Sequence, residues 1–384
     1  MEQAVIPPML NYLHARGQRL GLPVAGTFEL TARCNFNCKM CYVHLTEEEQ
    51  RSRGRELTAP EWIALGESAR DAGMTFLLLT GGEPTLRQDF AEIYRALHRM
   101  GLMISVNSNG YLLRESMVEL FLEETPTRVN ISLYGTGNET YRRLCGVPAY
   151  DRIVKNIEAL RSAGIDVKLN LSLTPDNMDE MEDIVAQANA MGARVQASPY
   201  MFPPVRRDPN SVGANFRMSP EQAGEFQARY NLLTMTPEGF CLLAQQMKNG
   251  VRQSGDDACE GNPGKGMACR AGSTSFWLTW DGKMMPCGQM REPAFDVREL
   301  GFDAAWQKTR SAAAAIRLPE ECANCSLNYL CHACAAMCYG ESGRFDGRPD
   351  YLCRMNRSYL EHTMELWQKH YGGSGDIPAS RSAP

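Results

Sequence analysis

Between about residue 26 and 200 the chain alternates two hydrophobic rhythms. Short β-rich runs are TFEL ending near Ala32, TFLLLT (75–80), MISVNSN (103–109), RVNISLY (128–134), DVKLNLSL (166–173) and RVQASPY (194–200). Between them lie stretches apolar at i, i+3 and i+4, at about 59–72, 88–100, 114–123, 151–163 and 179–190. Several end in a glycine: Gly73, Gly101, Gly164 and Gly192. Strands separated by helices of crossover length predict right-handed βα units in a parallel sheet. Six such units are too few for a closed eight-stranded barrel. The expected fold class is α/β, a partial, open (β/α)6 TIM-like barrel.

After Tyr200 the rhythm breaks. MFPPVRRDPNSVGAN reads as loop, and helical patterns follow at about 219–233 and 238–249. From Asp256 onward Gly, Pro and Cys dominate, with one hairpin: FWLTW, then Asp281-Gly282, then KMMPC. This region has too little apolar periodicity for a large core of its own, and small domains of that kind are held together by metal. A last amphipathic helix is expected at about 355–371. The expected division is an N-terminal helical extension (1–25), a barrel with linking helices (26–250), a small cysteine-rich domain (251–355), a C-terminal helix (356–371) and a disordered tail (372–384).

The 384 residues carry 40 basic and 45 acidic side chains, a net charge of -5, and 43% are hydrophobic. That is globular composition, with no basic excess to suit a nucleic-acid partner. No run approaches the roughly 18 apolar residues of a spanning helix. The N-terminus lacks the basic-then-apolar order of a secretory signal. A cytoplasmic protein without nucleic-acid or membrane partners is expected. Fourteen cysteines change this ordinary picture. In a reducing compartment they make poor disulfides. They also cluster: Cys34, Cys38 and Cys41 near the start, and nine between Cys259 and Cys353. Clustering points to metal, and Cys145 and Cys241, which stand apart, read as ordinary buried thiols.

Cys34, Cys38 and Cys41 form C-x-x-x-C-x-x-C directly after the first strand. Three thiolates in one loop can hold three irons of a cubane cluster and leave one iron open, and an open metal position marks catalysis. A zinc that borrows His44 is the bland alternative, but zinc knuckles favour two separated C-x-x-C pairs. With Gly81-Gly82-Glu83-Pro84 after the second strand, the triplet resembles the radical S-adenosylmethionine (SAM) superfamily over about residues 24–200. The resemblance implies that the amino and carboxylate groups of SAM chelate the open iron. One electron from the cluster, supplied by a flavodoxin- or ferredoxin-type donor, then releases a 5′-deoxyadenosyl radical. It implies that Gly81, Gly82, Glu83 and Pro84 bind the methionine amino group, the glycines by close backbone approach and Glu83 by its charge. Asn107, Asn109 and Ser132 match positions that bind ribose and carboxylate, and Arg143 matches an arginine that meets the methionine carboxylate. These lie at C-terminal strand ends, where barrel sheets place their sites.

The C-terminal cysteines run Cys269, Gly282-x4-Cys287, Cys322-x2-Cys325-x5-Cys331 and Cys353. Over about 265–355 this resembles the SPASM extension of one radical SAM branch, which implies two auxiliary four-iron clusters and three clusters in all. By that resemblance one auxiliary cluster takes Cys322, Cys325, Cys331 and Cys353. The other takes Cys269, Cys287 and a cysteine from the return loop. There the family spacing fails, because Ala335 stands where a cysteine is usual, flanked by Cys334 and Cys338. Cys334 is the nearer substitute and Cys338 the other. Cys259 could complete the set, or the position could stay open to substrate. GNPGKG (261–266) lacks the strand and the Ser/Thr of a phosphate loop.

The resemblance implies an anaerobic enzyme that abstracts hydrogen from a peptide or protein substrate, for cross-linking, thioether formation, epimerisation or oxidation. One residue speaks against a sulfatase maturase: those enzymes carry an aspartate base just after the Cys287 equivalent, where Gly288 stands. Only about 25 residues precede the first strand, so leader recognition would need a separate leader-binding protein. The alternatives are small-molecule radical chemistry in cofactor biosynthesis and, in a different class, a non-catalytic iron–sulfur electron carrier. A carrier would not need the open triplet with Gly-Gly-Glu-Pro. A peptide substrate predicts a long, polar, solvent-open groove between barrel and extension, and a small molecule predicts a closed pocket.

Overall fold

The computed structural model describes residues 8–251, 266–267 and 269–373. Cys259, residues 261–265 of the glycine-rich segment and the tail beyond 373 lie outside the described residues.

Six parallel strands form the barrel part: β1 (Ala25–Glu29), β2 (Phe76–Thr80), β3 (Met103–Ser108), β4 (Arg128–Ser132), β5 (Val167–Ser172) and β6 (Arg194–Ser198). They lie side by side in sequence order, the arrangement that repeated βα units produce. Of the helices between them, Glu47–Arg53 and Ala59–Asp71 start at side-chain caps. At Ala59–Asp71, Thr58 and Glu61 cap each other reciprocally and Pro60 sits in the first turn. Along the strands Val129, Ile131, Leu169 and Leu171 join the apolar core. The intervening Asn130, Ser132, Asn170 and Ser172 open on a cavity, so the strand period of two separates core from site.

The hairpin expected at Asp281-Gly282 is present as β7 (Ser275–Leu278) and β8 (Lys283–Met285), followed by the short β9 (Phe295–Asp296). Gly282 takes the positive φ of 83° that this turn requires. The hairpin does not form a layer of its own. β7 pairs in parallel with β1, Gly26 opposite Phe276, so the sheet continues to nine strands in the order β6-β5-β4-β3-β2-β1-β7-β8-β9. Pairing removes the exposed edge that β1 would otherwise present. Phe276 packs against Phe28 of β1 (6.3 Å between centroids) and against Phe302 and Trp306 (5.3 and 6.0 Å). A segment with too few apolar residues for its own core therefore shares the barrel's. The helix Phe302–Ala315 that delivers Phe302 and Trp306 was not expected, nor were Asn138–Cys145 and Ala335–Ser342.

Both chain ends reinforce this union. In the helix Pro8–Leu20, His14 Nδ1 lies 2.7 Å from Thr274 Oγ1, and Trp306 donates its indole N–H to Gly21 O at 2.8 Å. The final helix begins at Asp350, a full turn before the expected 355, and packs on Pro220–Thr234. Gly224 allows the close crossing, since a Cβ there would lie 2.4 Å from Met355 O. Arg217 joins the parts through a buried bidentate pair with Glu341 (2.6 and 2.9 Å) and lies over the Tyr351 ring.

Candidate active site

Cys34, Cys38 and Cys41 occupy the loop after β1, and all three line a cavity of about 380 Å³ at the C-terminal ends of the strands. The end of helix Asn138–Cys145 anchors that loop: Asn37 N–H donates to Cys145 O (3.1 Å) and Lys39 N–H to Leu144 O (3.0 Å). Phe36 N–H donates to Cys34 Sγ (3.4 Å), Asn109 Nδ2 approaches the same sulfur (3.7 Å), and His44 N–H donates to Cys41 Sγ (3.3 Å). Such donors favour a thiolate. Burial acts the other way, pushing Cys34 up to about 12 and raising Cys41. Cys38 is raised first by its hydrogen bond with Cys145 and then by burial. The bare thiols are thus protonated, and a metal must displace their protons on binding. Among the described residues no three His, Cys, Asp or Glu side chains converge closely enough to hold a single metal ion.

Gly81 and Gly82 also line the cavity. Their smallness first serves the cysteine loop. Gly82 N–H donates to Thr31 O (2.8 Å) and Glu83 N–H to Arg33 O (2.9 Å), and a Cβ on Gly82 would lie 2.4 Å from Arg33 O. Glu83 and Pro84 are buried behind the lining. The Glu83 carboxylate accepts from Thr85 N–H (3.1 Å), Thr85 Oγ1 (2.5 Å), Ser108 Oγ (3.0 Å) and Asn109 N–H (2.7 Å). Burial raises this carboxyl and these donors pull it back. The structure therefore places Glu83 as the pin between the glycine turn and the end of β3.

Asn107, Asn109 and Ser132 all line the cavity. Asn130, Asn170, Ser172 and Ser198 join them, and none was singled out from the sequence. Their signal was the polar half of each strand's alternation, which register stacks into rows: Asn107 opposite Asn130, Ser132 opposite Asn170, Ser172 opposite Ser198. Asn130 Nδ2 donates to Asn107 Oδ1 (2.8 Å), while Asn130 Oδ1 is buried with no partner. Arg143 is not part of the lining. Its guanidinium donates to Asp176 O (2.5 Å) and lies 3.8 and 3.9 Å from the Asp176 and Glu180 carboxylates.

The later cysteines gather in two sets. Cys287, pushed up to about 12 by burial, has Cys334 and Cys269 as neighbouring thiols. Cys331, pushed up to about 11 by burial, has Cys353, Cys322 and Cys325. Cys334 caps the helix Ala335–Ser342, and Cys338 on that helix is buried and feels Cys322, Cys334, Cys331 and Cys353. The two candidates beside Ala335 thus differ in place. Cys334 adjoins the Cys269–Cys287 set, and Cys338 lies toward the other.

The radical SAM superfamily description matches residues 28–188, and that of the SPASM iron-sulfur cluster-binding domain matches residues 269–335. This chain is a radical SAM enzyme of the SPASM branch. An AdoMet-dependent heme synthase of Methanosarcina barkeri is 28% identical over 333 residues, covering 83% of this chain and 93% of the relative. A probable GTP 3′,8-cyclase of Saccharolobus islandicus is 32% identical over 177 residues, 45% of this chain and 56% of its own. Among solved structures, Streptococcus suis SuiB bound to precursor peptide SuiA superposes with a TM-score of 0.66 at 17% identity, covering 92% of this chain and 82% of SuiB. Native anSMEcpe with bound AdoMet gives 0.65 at 15%, covering 90% and 98%. At those identities the structures speak for the shared fold.

The radical SAM core suits its cofactor on two observations. The orphaned Asn130 Oδ1 faces the loss of about 1–3 kcal/mol unless a ligand donor meets it, and the hydroxyls of a nucleoside are such donors. The thiols of the triplet share the same cavity. The SPASM side contributes Gln289 to the lining, with its Oε1 buried and unpartnered. Gly288 beside it lies against Trp277, where a Cβ would come 2.4 Å from the indole. An aspartate base cannot stand at this position without displacing that ring.

Proposed function

We propose that this radical SAM–SPASM enzyme removes a hydrogen atom from a small organic molecule rather than from a peptide. The observation that carries the reading is the pairing of β7 with β1. It occupies the β1 border of the groove expected between barrel and extension, while β6 remains the other edge of the sheet. The cavity, at about 380 Å³, within the roughly 300–1,000 Å³ of small-ligand sites, also has to admit SAM, which leaves room inside it for a small reacting group. The heme synthase relative, aligned over 93% of its own length, supports the same class of substrate.

In this reading Cys34, Cys38 and Cys41 hold the SAM-binding cluster. Cys322, Cys325, Cys331 and Cys353 hold one auxiliary cluster, and Cys269, Cys287 and Cys334 hold three corners of another. SAM, when bound, supplies a carbon radical able to take hydrogen from an unactivated C–H bond. The chain's own residues bind and orient: Asn107, Asn130 and Ser132 meet the nucleoside, the Gly81-Gly82 wall admits the methionine end, and Gln289 meets the substrate. Phe36, Met201 and Phe202 line the same cavity and exclude water from a radical that would otherwise be quenched. A reducing cytoplasm with a flavodoxin- or ferredoxin-type donor suits this chemistry.

The test is 5′-deoxyadenosine release by anaerobically reconstituted enzyme under a strong reductant. Protease-digested, low-molecular-weight extract of the native host should stimulate release above the substrate-free rate. Stimulation that resides in a protease-sensitive fraction would overturn the small-molecule reading in favour of a peptide.

A further inference from the structure

A second, smaller cavity of about 140 Å³ lies beside the first and shares Tyr42 and Val43 with it. Its walls come from the segment after Cys41, the loop after β6 and the β7–β8 hairpin with its return. Five cationic side chains line it: Arg53, Arg206, Arg207, Lys283 and Arg291, against the single acid Asp281. Two are already neutralised, Arg206 by Glu29 (2.8 Å) and Lys283 by Asp296 (2.8 Å). Arg53 donates to the Arg206 and Arg207 carbonyls (3.2 and 2.7 Å), and the Glu49 carboxylate lies near enough to feel both Arg53 and Arg207. Among the described residues, Arg207 and Arg291 have neither hydrogen bond nor ion pair on their guanidinium groups. Asp281 is engaged by Thr279 Oγ1 at 2.6 Å. Glu49 and Asp281 do not balance Arg53, Arg207 and Arg291, so the cavity keeps an excess of positive charge that suits an anion.

Position adds to the charge. Arg207 lies near enough to Cys41 to act on it, and Arg206 near enough to Cys287. The cavity therefore sits between the triplet and the first auxiliary set. We infer that this basic cavity is the subsite for a substrate carboxylate, anchoring an anionic substituent while the reacting carbon reaches past Tyr42 into the central cavity. The inference rests on the proposed function and narrows it to carboxylate-bearing substrates. The volume holds one carboxylate with a short stem, not a folded ligand, and planar guanidinium forks suit that group.

The test is calorimetric titration of the anaerobically reconstituted full chain with tricarballylate, its trimethyl ester, inorganic phosphate and the peptide acetyl-Asp-Glu-Asp-amide. Tricarballylate should bind saturably and the ester should not. Arg207→Gln and Arg291→Gln should each weaken binding about tenfold. Iron content and far-UV dichroism are followed in both, and the exposed Arg291 keeps the test open if the Arg207 variant folds poorly. No saturable heat, equal affinity for phosphate, or unchanged affinity in both variants would overturn the subsite while leaving the small-molecule reading to its own experiment. Peptide binding more than about tenfold tighter than tricarballylate, with the same arginine dependence, would uphold the subsite and overturn the small-molecule reading.

Discussion

Gly288 and Gln289 show how two adjacent residues divide structure from chemistry. Gly288→Asp drives a side chain into Trp277, whose indole N–H donates to Glu29 at 2.8 Å. The expected result is a loss of about 1–3 kcal/mol in denaturant melts, with no sulfatase-maturing activity gained. Gln289 instead presents a buried, unpartnered oxygen to the central cavity. Its replacement by Ala should lower kcat/KM for the substrate about tenfold, the worth of one hydrogen bond in a dry site, read by steady-state 5′-deoxyadenosine formation. Asn130→Ala should likewise raise the Kd for SAM about tenfold, measured by equilibrium dialysis. A variant that binds SAM as tightly as the parent would remove Asn130 from the nucleoside site.

Between elements, one ion pair holds the hairpin to the barrel. Glu29, fully buried at the end of β1, receives both Arg206 guanidinium nitrogens at 2.8 Å and the Trp277 indole, and Arg206 also donates to Gly288 O at 2.9 Å. Arg206→Ala leaves that carboxylate buried without its counter-charge and should cost about 3–5 kcal/mol in denaturant unfolding. The N-terminal helix carries a pH dependence of its own. Burial first, and then Arg270, hold His14 down at about 4 against an ordinary 6.5. Between those values the unfolded chain takes up a proton that the folded one refuses, so stability falls as pH drops from about 6.5 toward about 4. Hydrogen-exchange protection factors in Pro8–Leu20, corrected for the intrinsic pH dependence of amide exchange, should fall over that range, and less steeply in His14→Gln. The barrel strands were legible in the sequence because alternation and crossover length are local signals, and the triplet because its three ligands share one loop. The β1–β7 pairing was not, since it joins residues some 250 positions apart whose periodicity carries no address. Asn130, Asn170 and Ser198 went unnoticed for a related reason: an inward polar position on a strand has the same alternation as a solvated one.

For the whole molecule, the continuous sheet makes barrel and extension one body, while the cysteines divide into three separate sets. Three four-iron clusters correspond to about twelve irons per chain, and each set should answer separately to mutation. Replacing Cys34, Cys38 and Cys41 by Ala should remove about four irons and abolish SAM cleavage. Cys325→Ala should remove a similar share from the exposed end of the extension, leaving the barrel folded because Cys325 is exposed and stands outside the core that holds Phe28, Phe276 and Trp306. The pair beside Ala335 is the sharper trial. Cys334 neighbours Cys287, so Cys334→Ser should strip iron from that set and change its spectrum. Cys338 lies buried among four other cysteines, so Cys338→Ser should hold nearly all its iron if Cys322, Cys325, Cys331 and Cys353 already fill their cluster. Iron analysis with Mössbauer spectroscopy of the anaerobically prepared protein decides between them. Loss of about four irons in Cys338→Ser with none lost in Cys334→Ser would reverse the assignment, and a zinc-loaded, iron-free parent protein would end it.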